Sequence, residues 1–212
     1  MVRKDIKEFI ATIPNDITIV AATKYVGVDD MKILLESGIS NFGENRVNDF
    51  LKKYDALKDL PIKWHFIGHL QRNKAKEVIN KIDCLHSLDS LKLAKIIDDN
   101  RETPLDTFIE VSVNLEENKD GVPFMEIESF VKEVLQYKNI HLVGLMMMAI
   151  SHSSESSLDE QFTKLAKIRD QLEEKFHINL PYLSMGMSDD SRHALKAGAT
   201  HIRLGRILFD QN

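Results

Sequence analysis

Short apolar runs alternate with amphipathic stretches along almost the whole chain. The apolar runs have the length and composition of buried parallel strands; they lie at residues 17–23, 40–42, 64–67, 84–87, 107–113, 142–147, 182–184 and 201–204. Between them, apolar residues recur at spacings of three and four, most clearly over residues 158–176, and these stretches predict helices. The pattern therefore predicts eight strands with a helix between each pair.

This alternation favours a single α/β domain over residues 1–212, folded as a closed (β/α)₈ barrel of the TIM type. An open, doubly wound sheet is the alternative, but no Gly-x-Gly-x-x-Gly follows the first strand, as a dinucleotide-binding turn requires. Glycines mark two helix ends. Gly38 ends the helix predicted from residue 28, and Gly198 ends a helix predicted to begin near Ser188.

Composition excludes several classes of protein. The chain is 43% hydrophobic and 29% charged, which is typical of a soluble globular domain, and its net charge of −5 argues against nucleic-acid binding. Lysines alternate with acids, as in Lys52-Lys53 before Asp55, which predicts solvated helix faces. The longest apolar stretch is far shorter than the ~20 residues of a membrane span. With a single cysteine, Cys84, and no apolar segment at the N-terminus, a cytoplasmic protein is expected.

Lys24 directly follows the first predicted strand. It should therefore lie at the barrel mouth, where the carboxyl ends of the strands carry the reactive residues. Partial burial there should lower the pKa of Lys24, and a neutral amine can form a Schiff base with an aldehyde. The structural alternative is a lysine that ends the strand and extends into solvent.

The segment after the seventh predicted strand combines a glycine with hydroxyl groups. Gly186 permits a tight turn, and a helix starting near Ser188 would direct its first N–H groups at the barrel mouth. Ser188, together with Ser184, can add hydroxyl donors, although Ser188 is also a suitable helix N-cap. Asp189 and Asp190 would repel an anion, so we expect their carboxylates to point sideways. The segment predicts a phosphate site.

The eighth predicted strand ends in Arg203-Leu204-Gly205-Arg206. Gly205 allows the backbone to approach a phosphate closely. Because side chains alternate across a strand, Arg203 should point into the barrel, where it needs either a ligand atom or an acidic neighbour as partner.

Polar residues near the second and third strands are candidates to line the pocket, namely Asn45, His65 and Gln71. His65 lies within an apolar run and is more typical of a hydrogen-bonded core histidine. The run Met146-Met147-Met148 predicts adaptable barrel core and lining. No His/Cys cluster has zinc spacing, so no structural metal is predicted.

A lysine on the first strand and a phosphate site after the last two strands require a ligand with a carbonyl at one end and a phosphate at the other. Pyridoxal 5′-phosphate (PLP) has both groups. In that arrangement Arg203 would face the pyridine ring.

Several motifs occur in the order and spacing of a known family: Thr23-Lys24, Phe42-Gly43-Glu44-Asn45, Trp64-His65-Phe66-Ile67-Gly68, Leu70-Gln71 with Asn73-Lys74, Gly144-Leu145-Met146 and Leu183-Ser184-Met185-Gly186-Met187-Ser188. From about residue 17 to residue 209, the chain resembles the pyridoxal-phosphate homeostasis proteins.

The resemblance implies a fold similar to the N-terminal barrel of alanine racemase, with Lys24 as the cofactor lysine. It also implies phosphate contacts from the 184–188 segment and the Gly205 turn, and places Arg203 near the pyridine nitrogen. Arg206 departs from the family, which usually has threonine there. Its backbone N–H can still serve the phosphate, while its guanidinium either adds a contact or turns outward. His69 stands where proline is common, which should alter the stiffness of the loop.

Members of this family bind PLP and influence its cellular balance without an established catalytic turnover, so PLP-dependent apoenzymes are the implied partners, and a monomer is expected. An active racemase is the main alternative. It would need a second acid/base from a further domain, which is expected to be absent after Asn212, and Tyr25 is expected to point away from Lys24. A Schiff-base aldolase is the other alternative, but no acid lies immediately beside Lys24 in the sequence.

Overall fold

The computed structural model describes residues 1–112 and 121–209. Eight strands form the barrel: β1 (Thr18–Ala22), β2 (Asn41–Glu44), β3 (Lys63–Phe66), β4 (Cys84–Leu88), β5 (Leu105–Ser112), β6 (Ile140–Met146), β7 (Tyr182–Ser184) and β8 (His201–Leu204). A further two-residue strand, Val122–Pro123, pairs with the end of β5. The fifth strand was predicted to reach Val113, which lies outside the described residues.

All the pairings between barrel strands are parallel, and the sheet closes on itself. β1 pairs with β2 on one side and β8 on the other, while β4 pairs with β5. The predicted (β/α)₈ barrel is confirmed, and the open sheet is wrong. In the register of β1 and β8, Val20 lies opposite Arg203, so Arg203 lies one residue before the end of its strand, near the mouth.

Helices occupy every connection between barrel strands: α2 (Val28–Glu36), α3 (Val47–Leu57), α4 (Ala75–Val78), α5 (Leu91–Asn100), α6 (Ile127–Val134), α7 (Glu155–Phe176) and α8 (Ser191–Lys196), after an opening helix α1 (Ile6–Ala11). Gly38 and Gly198 have φ of +101° and +89°, the left-handed conformation that favours glycine at a helix end. No helix in the described ranges is both long and apolar enough to cross a membrane.

The last helix begins at Ser191, three residues later than predicted. Residues 188–190 instead form a turn that is closed by Asp190. The Asp190 N–H donates to the Met187 carbonyl at 3.3 Å, while its Oδ1 accepts from the Met187 N–H at 2.5 Å. A carboxylate that bonds to a nearby backbone N–H competes with the helix, which explains the later start.

The barrel interior contains buried polar side chains, among them His65, His86 and Arg203, together with the Phe108 ring, which stacks on His86. Outward-facing residues such as Phe42, Leu85 and Leu204 pack with the helices in the main apolar core. The imidazole rings of His65 on β3 and His201 on β8, two strands that are not neighbours in the sheet, lie 6.4 Å apart between centroids. The contact therefore crosses the interior, into which the alternation along each strand directs both side chains.

Candidate functional site at the barrel mouth

A cavity of about 210 Å³ opens at the carboxyl ends of the strands. The polar residues in its wall are Lys24, Asn45, His69, Glu110 and Arg203. Its volume lies below the ~300 Å³ at which pockets for drug-sized ligands begin, so it suits one ring-sized group. The cavity brings together three of the predicted site residues, Lys24, Asn45 and Arg203, from three different strand ends.

Lys24 lies two residues beyond the end of β1 and lines this cavity, as predicted. Lys24 is exposed, however, so the prediction that its amine is partly buried is wrong. The Tyr25 prediction is also wrong, because Lys24 Nζ lies 5.1 Å from the centroid of the Tyr25 ring. The Thr23 N–H still bonds to the Gly43 carbonyl at 3.0 Å, and beyond this bond Lys24 and Tyr25 follow as part of the rim.

A buried ion pair fixes the backbone just before Lys24. Glu44 is fully buried, and its Oε1 accepts a hydrogen bond from the Thr23 hydroxyl at 2.5 Å and another from Lys53 Nζ. Lys53 Nζ also donates to the Thr23 carbonyl at 2.5 Å. The prediction that Lys53 lies on a solvated helix face is wrong, because its side chain is only 12% exposed. The pair ties α3 to β1 and β2 at the position from which Lys24 projects.

Arg203 lies inside the barrel, as the alternation of β8 predicted. Its Nη1 donates to the carbonyl and the hydroxyl of Ser184 at 2.9 and 2.7 Å, and its Nη2 donates to the Met147 carbonyl at 2.9 Å. Burial lowers the pKa of Arg203 to about 10, so it remains a cation at neutral pH. Within the described part of the chain, Nε makes no hydrogen bond, which leaves it as the donor for a ligand in the cavity.

Ser184 is placed differently from the prediction. Its hydroxyl is fully buried between Arg203 Nη1 and His86 Nδ1, at 2.7 and 2.8 Å. Because Ser184 belongs to β7 and points inward, it supports Arg203 and cannot add a hydroxyl to a phosphate site in the loop beyond the strand.

The loops after β7 and β8 meet beside the cavity. The Gly205 N–H donates to Ser188 Oγ at 3.3 Å. A Cβ built on Gly205 would lie 3.7 Å from the Cβ of Ala22, which lines the cavity. Gly186 has φ of +91°, and a Cβ there would lie 2.6 Å from the Ala194 side chain, so both the turn and its packing require glycine.

Backbone N–H groups in this loop are available to an acceptor. Those of Ser188 and Asp189 donate to no group among residues 1–112 and 121–209. The acidic residues have other partners, since Asp190 accepts from Met187 and Asp189 Oδ2 pairs with Arg206 Nη2 at 2.5 Å. That second pair is exposed, with 74% of the Arg206 side chain accessible, so the guanidinium is directed at Asp189 on the surface.

Two buried polar groups in the cavity wall, Asn45 and Glu110, can contact a ligand. Asn45 Oδ1 is buried and has no hydrogen-bond partner among the described residues, although buried acceptors are normally paired. Glu110 is buried in the same wall and was missed by sequence reasoning. The available signal was an acid at an inward position within the apolar stretch from Phe108 to Val111. Gln71 lines two open clefts rather than this cavity.

His65 is a hydrogen-bonded core histidine, as predicted. Its ring nitrogens contact His86 Nε2 at 2.9 Å and Asn41 Oδ1 at 3.0 Å. Ligand atoms of His65, Cys84 and His86 lie within 4.8 Å of one another, a cluster that the sequence spacing did not reveal. The two imidazoles already direct their facing nitrogens at each other, and the absence of a structural metal stays a prediction.

Comparisons with known proteins show the family to which the chain belongs. The model of the family described as alanine racemase, N-terminal domain, matches residues 3–212. A pyridoxal phosphate homeostasis protein of Aquifex aeolicus is 38% identical over 200 residues, covering 93% of this chain and 88% of the relative. The protein of the same name from Synechocystis sp. is 35% identical over 207 residues, covering 95% and 94%.

Solved structures of similar proteins have the same fold. PipY of Synechococcus elongatus PCC7942 with PLP bound is 28% identical, with a TM-score of 0.89, over 97% of this chain and all of PipY. An alanine racemase of Clostridium difficile 630 is 15% identical, with a TM-score of 0.82 over the whole of this chain and 58% of the racemase, and it shows the fold alone. The chain therefore belongs to the alanine racemase N-terminal domain family and, within it, to the pyridoxal phosphate homeostasis proteins.

Proposed function

We propose that this chain binds PLP at the barrel mouth and takes part in the intracellular homeostasis of that cofactor. The observation that carries the proposal is the shared cavity of Lys24 and Arg203, placed next to the contact between Ser188 and Gly205. These are an amine, a fixed cation and a loop with available N–H groups. A ligand that has an aldehyde, a pyridine ring and a phosphate matches all three.

Lys24 is the residue proposed to hold the cofactor covalently. Its amine is accessible at the rim, and the buried pair of Glu44 and Lys53 fixes the backbone from which it projects. When bound, PLP supplies an aldehyde that condenses reversibly with a lysine amine as a Schiff base. An exposed lysine suits a protein that binds PLP reversibly, because water can reach the Schiff base and hydrolyse it.

The phosphate is assigned to the loops after β7 and β8. The backbone N–H groups of Ser188, Asp189 and Arg206, with the Ser188 hydroxyl, supply donors without a formal charge. Gly205 removes the side chain that would narrow this approach. We assign Arg206 a contact through its backbone, because its guanidinium is directed at Asp189.

The ring is assigned to the cavity between Arg203 and Asn45. Arg203 Nε faces the pyridine nitrogen in this arrangement. Asn45, whose buried Oδ1 has no hydrogen-bond partner among the described residues, is assigned to the ring hydroxyl of PLP. Ser184 contacts Arg203 rather than the cofactor.

Binding without turnover is part of the proposal. A cationic arginine at the pyridine nitrogen discourages protonation of the ring, which weakens the cofactor as an electron sink. Two observations favour testing the alternatives directly. Tyr25 lies beside the Lys24 amine, as a racemase base would, and the Glu110 carboxylate shares the cavity, as in a Schiff-base aldolase.

The covalent link is tested by absorbance and mass spectrometry. The purified protein, loaded with PLP, should show a near-visible imine band that borohydride bleaches, with the reduced adduct on Lys24. Lys32→Ala, which removes an exposed lysine of α2, should leave the band unchanged, whereas Lys24→Ala should remove it. An adduct found on another lysine contradicts the assignment.

The phosphate loops are tested with the same variant. Lys24→Ala should retain measurable PLP affinity, because the phosphate contacts remain. Pyridoxal, which lacks the phosphate, should bind Lys24→Ala far more weakly than PLP does. Equal affinity for the two compounds would contradict the phosphate assignment.

Turnover assays separate binder from enzyme. Racemase assays with common amino acids should give no more product than free PLP, and sugar-phosphate cleavage should be absent. Stereospecific turnover that depends on Tyr25, or cleavage that depends on Glu110, would replace the binding proposal.

The remaining parts of the proposal concern the cellular setting. We place the protein in the cytoplasm as a monomer that exchanges PLP with PLP-dependent apoenzymes. Light scattering on the eluted protein tests the oligomeric state. Transfer is tested by comparing the activation of an apoenzyme by the loaded protein with activation by the same amount of free PLP.

A further inference from the structure

A continuous chain of buried hydrogen bonds crosses the barrel behind Arg203. Arg203 Nη1 lies 2.7 Å from Ser184 Oγ, and Ser184 Oγ lies 2.8 Å from His86 Nδ1. His86 Nε2 lies 2.9 Å from His65 Nδ1, and His65 Nε2 lies 3.0 Å from Asn41 Oδ1. The chain links β8, β7, β4, β3 and β2 in turn.

The arginine fixes the direction of every bond in this chain. A guanidinium only donates, so Ser184 Oγ is the acceptor toward Arg203. Among the described residues, the one recorded acceptor for the proton of the Ser184 hydroxyl is His86 Nδ1. Nδ1 of His86 therefore carries no proton, and the ring holds its proton on Nε2.

The tautomer of His86 determines the tautomer of His65. His86 Nε2–H donates to His65 Nδ1, so His65 also holds its proton on Nε2 and donates to the Asn41 side-chain oxygen. The opposite direction would leave the proton of the buried Ser184 hydroxyl without an acceptor, which is unfavourable in a barrel interior.

Both rings must be neutral for this arrangement, and their environment agrees. Burial lowers the pKa of His65 to about 3, and burial together with the neighbouring His65 lowers the pKa of His86 well below its usual value. The Phe108 ring stacks on His86 with centroids 4.5 Å apart, which fixes the plane of that imidazole.

We propose that Ser184, His86 and His65 are positioning residues that hold Arg203 with Nη1 turned into the barrel and Nε toward the cofactor ring. This inference rests on the proposed binding of PLP. The cofactor-free protein already contains the two neutral imidazoles, which have the same tautomer and are aligned by one arginine. Each hydrogen bond of the chain has both its donor and its acceptor only in this state, so Nη1 of Arg203 is held in place before the cofactor arrives.

The tautomers are tested in the protein without PLP. Nitrogen-15 and carbon-13 shifts of histidine-labelled protein should show a bare Nδ1 and a protonated Nε2 for both His65 and His86 at pH 7.5. A protonated Nδ1 in either ring, or a charged ring, overturns the chain. This measurement needs no variant and no cofactor, so it remains decisive even if substitutions impair folding or if PLP binds elsewhere.

The positioning role is tested with Ser184→Ala, which removes the hydroxyl but keeps the carbonyl that Arg203 also uses. We expect about ten-fold weaker PLP binding, the effect of losing one hydrogen bond to a charged group, and an altered visible circular dichroism band for the bound cofactor. The borohydride adduct on Lys24 should persist.

His201→Gln is the matched control. His201 is also a buried interior histidine, but its Nδ1 bonds to Thr200 Oγ1 at 3.0 Å and lies outside the chain. It should leave PLP affinity within two-fold and the dichroism band unchanged. Wild-type affinity and dichroism in Ser184→Ala would overturn the positioning role. Absence of any adduct on Lys24 in the unmodified protein would refute the binding proposal separately, without touching the tautomers.

Discussion

Acidification from pH 7.5 to pH 5.0 should destabilise this protein strongly, because three histidines are buried in the barrel interior. Burial lowers the pKa of His65 to about 3 and that of His201 to about 4, and it lowers the pKa of His86 well below its usual value. His65 and His201 therefore stay neutral in the folded protein at pH 5.0, and the pKa of His86 is shifted in the same direction. In the unfolded chain they take up protons below about pH 6.5.

The change in the free energy of unfolding follows from the difference in proton binding between the folded and unfolded states. Between pH 6.5 and pH 5.0 the unfolded state binds protons that the folded state excludes, so the free energy of unfolding falls as the pH falls. At about 1.36 kcal/mol per pH unit, His65 and His201 should each remove about 2 kcal/mol over this interval, and the two together roughly 4 kcal/mol. His86 should change stability in the same direction. The full contribution is present above pH 6.5. The carboxyl groups with lowered pKa, Asp5 and Asp159, titrate below this interval.

Urea unfolding at the two pH values measures the effect. Trp64 is the single tryptophan and is buried, so its fluorescence reports on the barrel. The quantity of interest is the difference in unfolding free energy between pH 7.5 and pH 5.0, in which any general cost of a substitution cancels. His201→Gln should reduce that difference by about 2 kcal/mol.

An exposed histidine provides the control. His177 ends α7 with φ of +51°, a conformation that asparagine tolerates, so His177→Asn should leave the pH difference unchanged. A total loss below about 1 kcal/mol in the unmodified protein would refute the reasoning, because the folded state would then be accepting the protons. An equal effect of the two substitutions would contradict the role of burial.

Three further substitutions test separate contacts. Lys53→Met should cost about 3–5 kcal/mol, because it leaves a buried carboxylate without its cation, whereas exposed Lys52→Met should change stability by less than about 0.5 kcal/mol in the same urea assay. Gly144→Ala should lower the free energy of unfolding by about 1–3 kcal/mol or more, since the new Cβ would lie 1.9 Å from a backbone oxygen of β7. Gly27→Ala, with open space around the new Cβ, should lower it by less than about 1 kcal/mol. Arg206→Ala should change PLP affinity less than about three-fold by fluorescence titration, because its guanidinium is part of an exposed pair; a larger loss would assign that side chain to the phosphate.

Periodicity along the chain was sufficient to predict the barrel. Strand residues buried on both faces are apolar almost throughout, helices repeat every three to four residues, and both signals are local. For the same reason Lys24 and Gly205 could be assigned to the mouth, since strand ends share one edge of a parallel barrel. The inward direction of Arg203 followed from alternation along β8.

Contacts between distant strands were decided by the tertiary structure. Lys53 looked like a surface lysine because its neighbours in sequence are charged, yet it meets Glu44 across an element boundary. Ser184 looked like part of a phosphate loop because that loop follows it directly, yet its hydroxyl faces His86, 98 residues away along the chain. Glu110 entered the cavity wall in the same way.

Lys24 illustrates most clearly which properties the sequence determined and which the tertiary structure determined. By itself, the sequence determined that this lysine follows the first strand and therefore faces the mouth. Only the tertiary structure determined that Lys24 is exposed beside Tyr25, because the exposure of a side chain depends on contacts with residues that are distant in the sequence. The sequence pattern thus specified the positions of the reactive groups, and the packing of non-neighbouring strands specified their environments.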